Sequence, residues 1–243
     1  MKNEKIIEDL LPQVRREFLW RMTRGDVHLL REVETFVTSR MGKMLRPQLT
    51  LLAADTLGQA SSRRTILLAT AVEMLHNASL IHDDIIDHSD TRRGVPSVGA
   101  RWNNSVAVLV GDFLLAQVMR ILHEVNEAET TQRVYETVEA MVESELLQQE
   151  VGGTSELRAQ SSELSESSYL KIIDGKTARL FSTACALGNP EYEDFGLHYG
   201  RLFQLEDDLA DGEANEYTKA LIIREKDALA TIKKSLEVLN VNG

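Results

Sequence analysis

Two strings of aspartate are the residues in this chain best placed to do chemistry. In Asp83-Asp84-Ile85-Ile86-Asp87 the outer carboxylates lie four residues apart. On a helix they share one face, Asp84 points to the side, and Asp90 extends the row by almost another turn. Phe203-Gln204-Leu205-Glu206-Asp207-Asp208-Leu209-Ala210-Asp211 has the same pattern, with Asp207 and Asp211 on one face. Stacked carboxylates repel by a few tenths of a kcal/mol per pair, roughly, unless a cation offsets them. Hard oxygen ligands in this arrangement suit Mg²⁺, which takes one or two protein carboxylates and completes its shell with water and phosphate oxygens. Arg92 and Arg93 follow the first string, and arginine is suited to forked binding of phosphate. Either string alone reads as well as a solvated acidic helix end. Two of them, beside basic loops, point to metal-assisted diphosphate chemistry. Helices presenting these faces to each other would make a cavity for several Mg²⁺ ions bridged by a diphosphate.

The elements that must position these groups are helical. Apolar residues recur with helical period, strand-like alternation is nearly absent, and only Pro12, Pro47, Pro96 and Pro190 interrupt. Helices are expected from Ile6 to Met22, from an Asp26 cap to about Ser39, and from Ser61 or Ser62 into the first aspartate string. Further helices are expected over Val98–Val125, Thr130–Val151, Tyr169 to about Gly188, and through the second string. Gly42-Lys43-Met44-Leu45-Arg46-Pro47 should put Lys43 and Arg46 in a loop before a helix that Pro47 opens, where N–H groups favour anions. His76 lies seven residues before Asp83, on its face. His82 faces elsewhere, which argues against a zinc pair. Ala78 and Ser79 are small and would wall the space beneath a head group held at Asp83. Lys176 either snorkels to water or aims at an anion. Gly152 through Ser168, rich in Ser, Glu and Gln, reads as an exposed connection.

Composition bounds the class. The 243 residues are 43% hydrophobic and 27% charged, enough for one large domain with a substantial core. A net charge of −11 argues against nucleic acid and against docking on an anionic membrane. Cys185 stands alone, which excludes an intrachain disulfide and fits a reducing compartment. The polar N-terminus and the lack of any run of about 18 uncharged apolar residues lead us to expect a soluble, cytoplasmic protein.

The chain resembles the all-helical trans-isoprenyl diphosphate synthases, the polyprenyl synthetases. The resemblance rests on Gly42-Lys43-x-x-Arg46-Pro47, His76, Asp83-Asp84-x-x-Asp87 with Thr91-Arg92-Arg93-Gly94, Lys176-Thr177, and Phe203-Gln204-x-x-Asp207-Asp208-x-x-Asp211. These fall in the family's order from about residue 40 to 212.

That resemblance implies an all-α bundle with a central cavity, forming a single domain over 1–243, and head-to-tail chain elongation. It implies an allylic diphosphate on Mg²⁺ held by Asp83, Asp87, Asp207 and Asp211, with Asp84 and Asp208 in the catalytic set and Arg92, Lys176, Thr177 and Gln204 as further contacts. Isopentenyl diphosphate would meet Lys43, Arg46, His76 and Arg93. With Ala78 and Ser79 in place of bulky aromatics, the product should exceed fifteen carbons. A homodimer is expected. The competing expectations are a non-catalytic subunit of a heteromeric synthase and a terpene cyclase. Intact acidic strings argue against the first, and Lys43, Arg46 and His76 against the second. The family continues past its second motif with a lysine-bearing loop. Here Gly212-Glu213-Ala214-Asn215 leads straight into Glu216-Tyr217-Thr218-Lys219, so a segment after about residue 212 is expected to be missing.

Overall fold

The computed structural model describes residues 2–24, 26–39, 41–92, 94–152, 165–212, 214 and 217–235. The chain divides into two compact units, the first ending at Glu127 and the second beginning at Ala128.

The first unit is built on α1 (Lys2–Met22), α2 (His28–Thr38), α3 (Leu45–Asp55), α4 (Arg63–Ile86), a two-residue hairpin of β1 (Thr91–Arg92) and β2 (Val95–Pro96), α5 (Val98–Arg101) and α6 (Asn104–Val125). Its axis is α4, which starts where expected: the Ser62 hydroxyl accepts the Thr65 N–H at 3.1 Å. Leu67, Leu68, Ala69, Ala71, Val72, Met74 and Leu75 are all buried, with Thr70 and Glu73 among them, so the middle of the helix is enclosed on every side, as a core helix is. It packs against α6, α3 and α1. Fully buried Arg21 bonds Glu17 at 2.8 Å and Glu124 at 2.6 Å, and Arg63 meets the same two carboxylates, tying α1 to α4 and α6.

Several boundaries differ from the sequence reading. α1 begins at Lys2, four residues before the expected Ile6, and keeps Pro12 inside it on an exposed position. Val27, not Asp26, is the cap residue of α2, with no side-chain bond. The long helix expected from Val98 breaks at Trp102, because the Asn103 side chain accepts from Val106 N at 2.9 Å and restarts the helix. Val95–Pro96, just before the helix expected from Val98, pairs with Thr91–Arg92 as the second strand of the hairpin. By length and composition α6 could cross a membrane, but Asp112 and Arg120 interrupt its apolar run and its inner face packs on α4 as a core helix does.

The second unit comprises α7 (Ala128–Gly152), α8 (Glu166–Ile173), a π turn (Asp174–Ala178), α9 (Arg179–Gly188), a 3₁₀ turn (Pro190–Tyr192), α10 (Glu193–Asp211) and α11 (Thr218–Ser235). Most of the connection expected between Gly152 and Ser168 lies outside the described residues. Tyr169, Ile173, Leu205, Leu221 and Ile222 form one apolar cluster joining α8, α10 and α11. Gly175 lets the π turn touch α7. A Cβ there would stand 2.4 Å from Ala140 O and from Ser144 Cβ.

Candidate active site

In the first unit the acidic row forms at the C-terminal end of α4. Asp87 is its cap residue, and the Asp87 N–H still donates to Asp83 O at 2.8 Å, so the helical spacing of the two carboxylates survives. Asp83 is half-buried and Asp87 exposed. His88 then turns left-handed (φ 51°), which carries Asp90 off the helix and out of the row. The backbone of Asp90 instead accepts from Ser97 N at 2.8 Å.

Asp84 is buried and receives the Arg92 guanidinium, Nε at 2.8 Å and Nη2 at 2.7 Å. The hairpin strand Thr91–Arg92 sets this reach. Burial pushes the Asp84 carboxyl above its ordinary range even with Arg92 pulling it down, and Asp87 adds to the upward push. Arg93 lies outside the described residues.

The other cations sit upstream. Arg46 belongs to the first turn of α3, not to a loop. Met44 takes the left-handed cap position (φ 53°), the Gln48 amide donates to Lys43 O at 2.5 Å, and Pro47 falls in a first turn, where its missing N–H costs no helical bond. Lys43 is exposed. Arg46 is buried with Nη1 3.3 Å from His76 Nε2. Burial lowers its pKa to about 10, partly offset by Glu73, so it is cationic at neutral pH. Ala78 is buried, and the Ser79 hydroxyl turns back to His76 O at 2.9 Å.

In the second unit Asp207 and Asp211 are exposed on α10. Asp208 points inward, accepting the Tyr169 hydroxyl at 2.5 Å on one oxygen and the Gln204 amide at 2.7 Å on the other. Gln204 accepts in turn from the Thr177 hydroxyl at 2.6 Å. Lys176, in the π turn, donates to Gln148 at 3.0 Å and lies 3.7 Å from Glu145. Arg201 grips Asp174, the first residue of that turn, through two bonds of 2.5 and 2.7 Å. Burial raises the Asp207 carboxyl, and Asp211 and Asp208 raise it further. Tyr169, Asp174 and Arg201 had no role in the sequence reading. The available signal was spacing: Tyr169 precedes Lys176-Thr177 by two helical turns.

Neither α4 nor α10 carries a basic residue in its own last turn, so both rows stand at the negative end of a helix dipole. Within each unit, among the described residues, no three His, Cys, Asp or Glu side chains converge as a ready-made metal cage. The donor set fits a hard divalent ion held by one or two carboxylates that keeps coordination sites for water and phosphate.

The Polyprenyl synthetase family model matches residues 27–223, a span that contains every one of these groups. The chain belongs to the polyprenyl synthetase family. It is 38% identical over 195 residues to an all-trans-nonaprenyl-diphosphate synthase (geranyl-diphosphate specific) of Rhodobacter capsulatus, covering 76% of this chain and 58% of the relative. It is 32% identical over 247 residues to the octaprenyl diphosphate synthase of Haemophilus influenzae, covering 98% of this chain and 72% of the relative. A polyprenyl synthase from Caulobacter crescentus CB15, solved in complex with calcium and isoprenyl diphosphate, superposes with a TM-score of 0.77 at 32% identity over 88% of this chain and 65% of that one. The chain therefore has the all-α type I isoprenoid synthase fold, and it spans less than two thirds of the Rhodobacter relative.

Proposed function

We propose that the chain is a Mg²⁺-dependent prenyltransferase that condenses isopentenyl diphosphate with an allylic diphosphate, releasing diphosphate and a trans-polyprenyl diphosphate longer than fifteen carbons. One observation carries this reading: each acidic motif leaves its outer carboxylates exposed or half-buried and ties its second aspartate inward. Family membership and the nonaprenyl and octaprenyl relatives support it.

Asp83, Asp87, Asp207 and Asp211 would hold the divalent ions, whose charge neutralises the diphosphate leaving group. Arg92, still 37% exposed while it holds Asp84, would share its guanidinium with the same diphosphate. Lys176, Thr177 and Gln204 form a hydrogen-bonding edge beside the second row. Lys43, Arg46, His76 and Arg93 would take isopentenyl diphosphate. The allylic C–O bond breaks with its electron pair leaving on diphosphate. The isopentenyl double bond attacks the allylic carbon, and loss of a proton restores an alkene. Charge-stabilising groups dominate such a step and no protein nucleophile is required.

The small Ala78 and Ser79 would leave the product room to lengthen, and Ser79→Phe should shorten it. Unchanged products would place the floor elsewhere. The exposed apolar residues Val108, Leu109 and Met119 on α6 support a homodimer, checked by mass in solution. Cys185 is buried and its thiol is pushed far up by burial, so it is inert, in keeping with a cytoplasmic protein. We read the chain as one catalytic domain lacking the family's lysine-bearing loop after about residue 212. Incubation with Mg²⁺, an allylic diphosphate and isopentenyl diphosphate tests the whole reading. An elongated product upholds it, no reaction favours a non-catalytic subunit, and a hydrocarbon from the allylic substrate alone favours a cyclase.

A further inference from the structure

We infer that Tyr169 is a positioning residue for the second acidic row: by holding Asp208 inward it keeps Asp207 and Asp211 presented to a divalent ion. This rests on the metal-dependent reading above. The Tyr169 ring is buried in the cluster with Ile173, Leu205, Leu221 and Ile222, so its body belongs to the core and its hydroxyl is the polar tip. That tip donates to one oxygen of Asp208 while Gln204 donates to the other. Asp208 adjoins Asp207 in sequence and stands three residues before Asp211 on the same helix. A rotation of α10 that released Asp208 would turn both outward carboxylates as well. Hydrogen bonding also spreads the Asp208 charge, which eases its repulsion of Asp207. The Thr218 hydroxyl, at the start of α11, stands 3.4 Å from the same Tyr169 oxygen, so the helix after the motif closes over this tie.

Tyr169→Phe removes the hydroxyl and keeps the ring. The full chain is mixed with Mn²⁺ and inorganic diphosphate, and unbound Mn²⁺ is counted by electron paramagnetic resonance. Loss of an outer partner of a metal site weakens metal binding by about tenfold or more. Tyr169→Phe should therefore bind Mn²⁺ about tenfold more weakly. The metal concentration for half-maximal turnover should rise in step, with kcat changed less. A variant that melts earlier but binds Mn²⁺ as the parent does would show a merely structural tyrosine and overturn the inference. Asp208→Ala removes the acceptor and so cuts the same tie from the other end, and it serves if Tyr169→Phe does not fold. Full Mn²⁺ affinity in Asp208→Ala also overturns the inference. Adding Tyr169→Phe to Asp208→Ala should cause no further loss, and additive losses would contradict action through Asp208. A parent chain that retains no Mn²⁺ with diphosphate would instead overturn the metal reading itself.

Discussion

The two acidic motifs share a spacing but not an anchor. At the end of α4 the inward aspartate, Asp84, is held by a cation, Arg92. At the end of α10 the inward aspartate, Asp208, is held by neutral donors, Tyr169 and Gln204. An arginine cancels a charge within its motif, whereas a hydroxyl and an amide orient a charge without cancelling it. The second row therefore keeps more of its self-repulsion, and Asp207 feels it from Asp211 and Asp208. The helix ends differ too. The α4 end uses left-handed His88 (φ 51°), and α10 closes on left-handed Gly212 (φ 79°), whose N–H bonds Asp208 O. One pattern in the sequence thus has two physical solutions.

The largest test of this comparison removes an outward carboxylate from each row. Asp87→Ala and Asp207→Ala should each lower turnover by about 10²- to 10³-fold, while neither lowers the melting temperature, because each exposed carboxylate removed relieves repulsion at a helix C-terminus. A substantial loss of stability would mean the rows are structural. Next come the anchors. Arg92→Met leaves Asp84 buried without its cation and should cost about 2 kcal/mol in denaturant unfolding. Tyr169→Phe, with Gln204 still in place, should cost about 1 kcal/mol. Added salt should shrink the Arg92 effect and leave the Tyr169 effect nearly constant, and equal salt dependence would erase the distinction.

A smaller effect comes from exchanging the caps. His88→Gly should stabilise and Gly212→His destabilise, each by about 1 kcal/mol, since only glycine takes the left-handed region without strain. Thermal melts of the two variants check this. The smallest effect is with pH. Asp207 has a folded-state pKa above its ordinary 3.8, so the native chain binds that proton more tightly than the unfolded chain. Its ionisation therefore removes stability as pH rises from 3.8 upward through the raised value. Asp207→Asn should gain on the parent across that window, read as the difference between their melting temperatures against pH. A gap that narrows as pH rises would contradict the sign.

Much of the molecule was legible locally. The Ser62 cap and the apolar run behind it announced α4, and the four-residue spacing announced both rows. Other features depended on partners distant in sequence or on one local bond. Arg46 looked excluded from a helix by the proline after it, yet the first turn has no bond for Pro47 to break. Asp90 looked like a continuation of the row until His88 ended the helix. The Asn103 cap, which splits the expected helix from Val98, competes with the backbone through a single hydrogen bond that apolar periodicity does not register.

What residue order alone determined here is helical: the period and the pairing of the outer carboxylates follow from 3.6 residues per turn and need no partner. Tertiary structure decided which aspartate of each motif turns inward and what holds it, because Arg92 reaches Asp84 from a hairpin and Tyr169 reaches Asp208 from α8. Hydrogen bonds between elements depend on how the chain packs, and packing is set by the apolar core around them rather than by the spacing of the acids themselves.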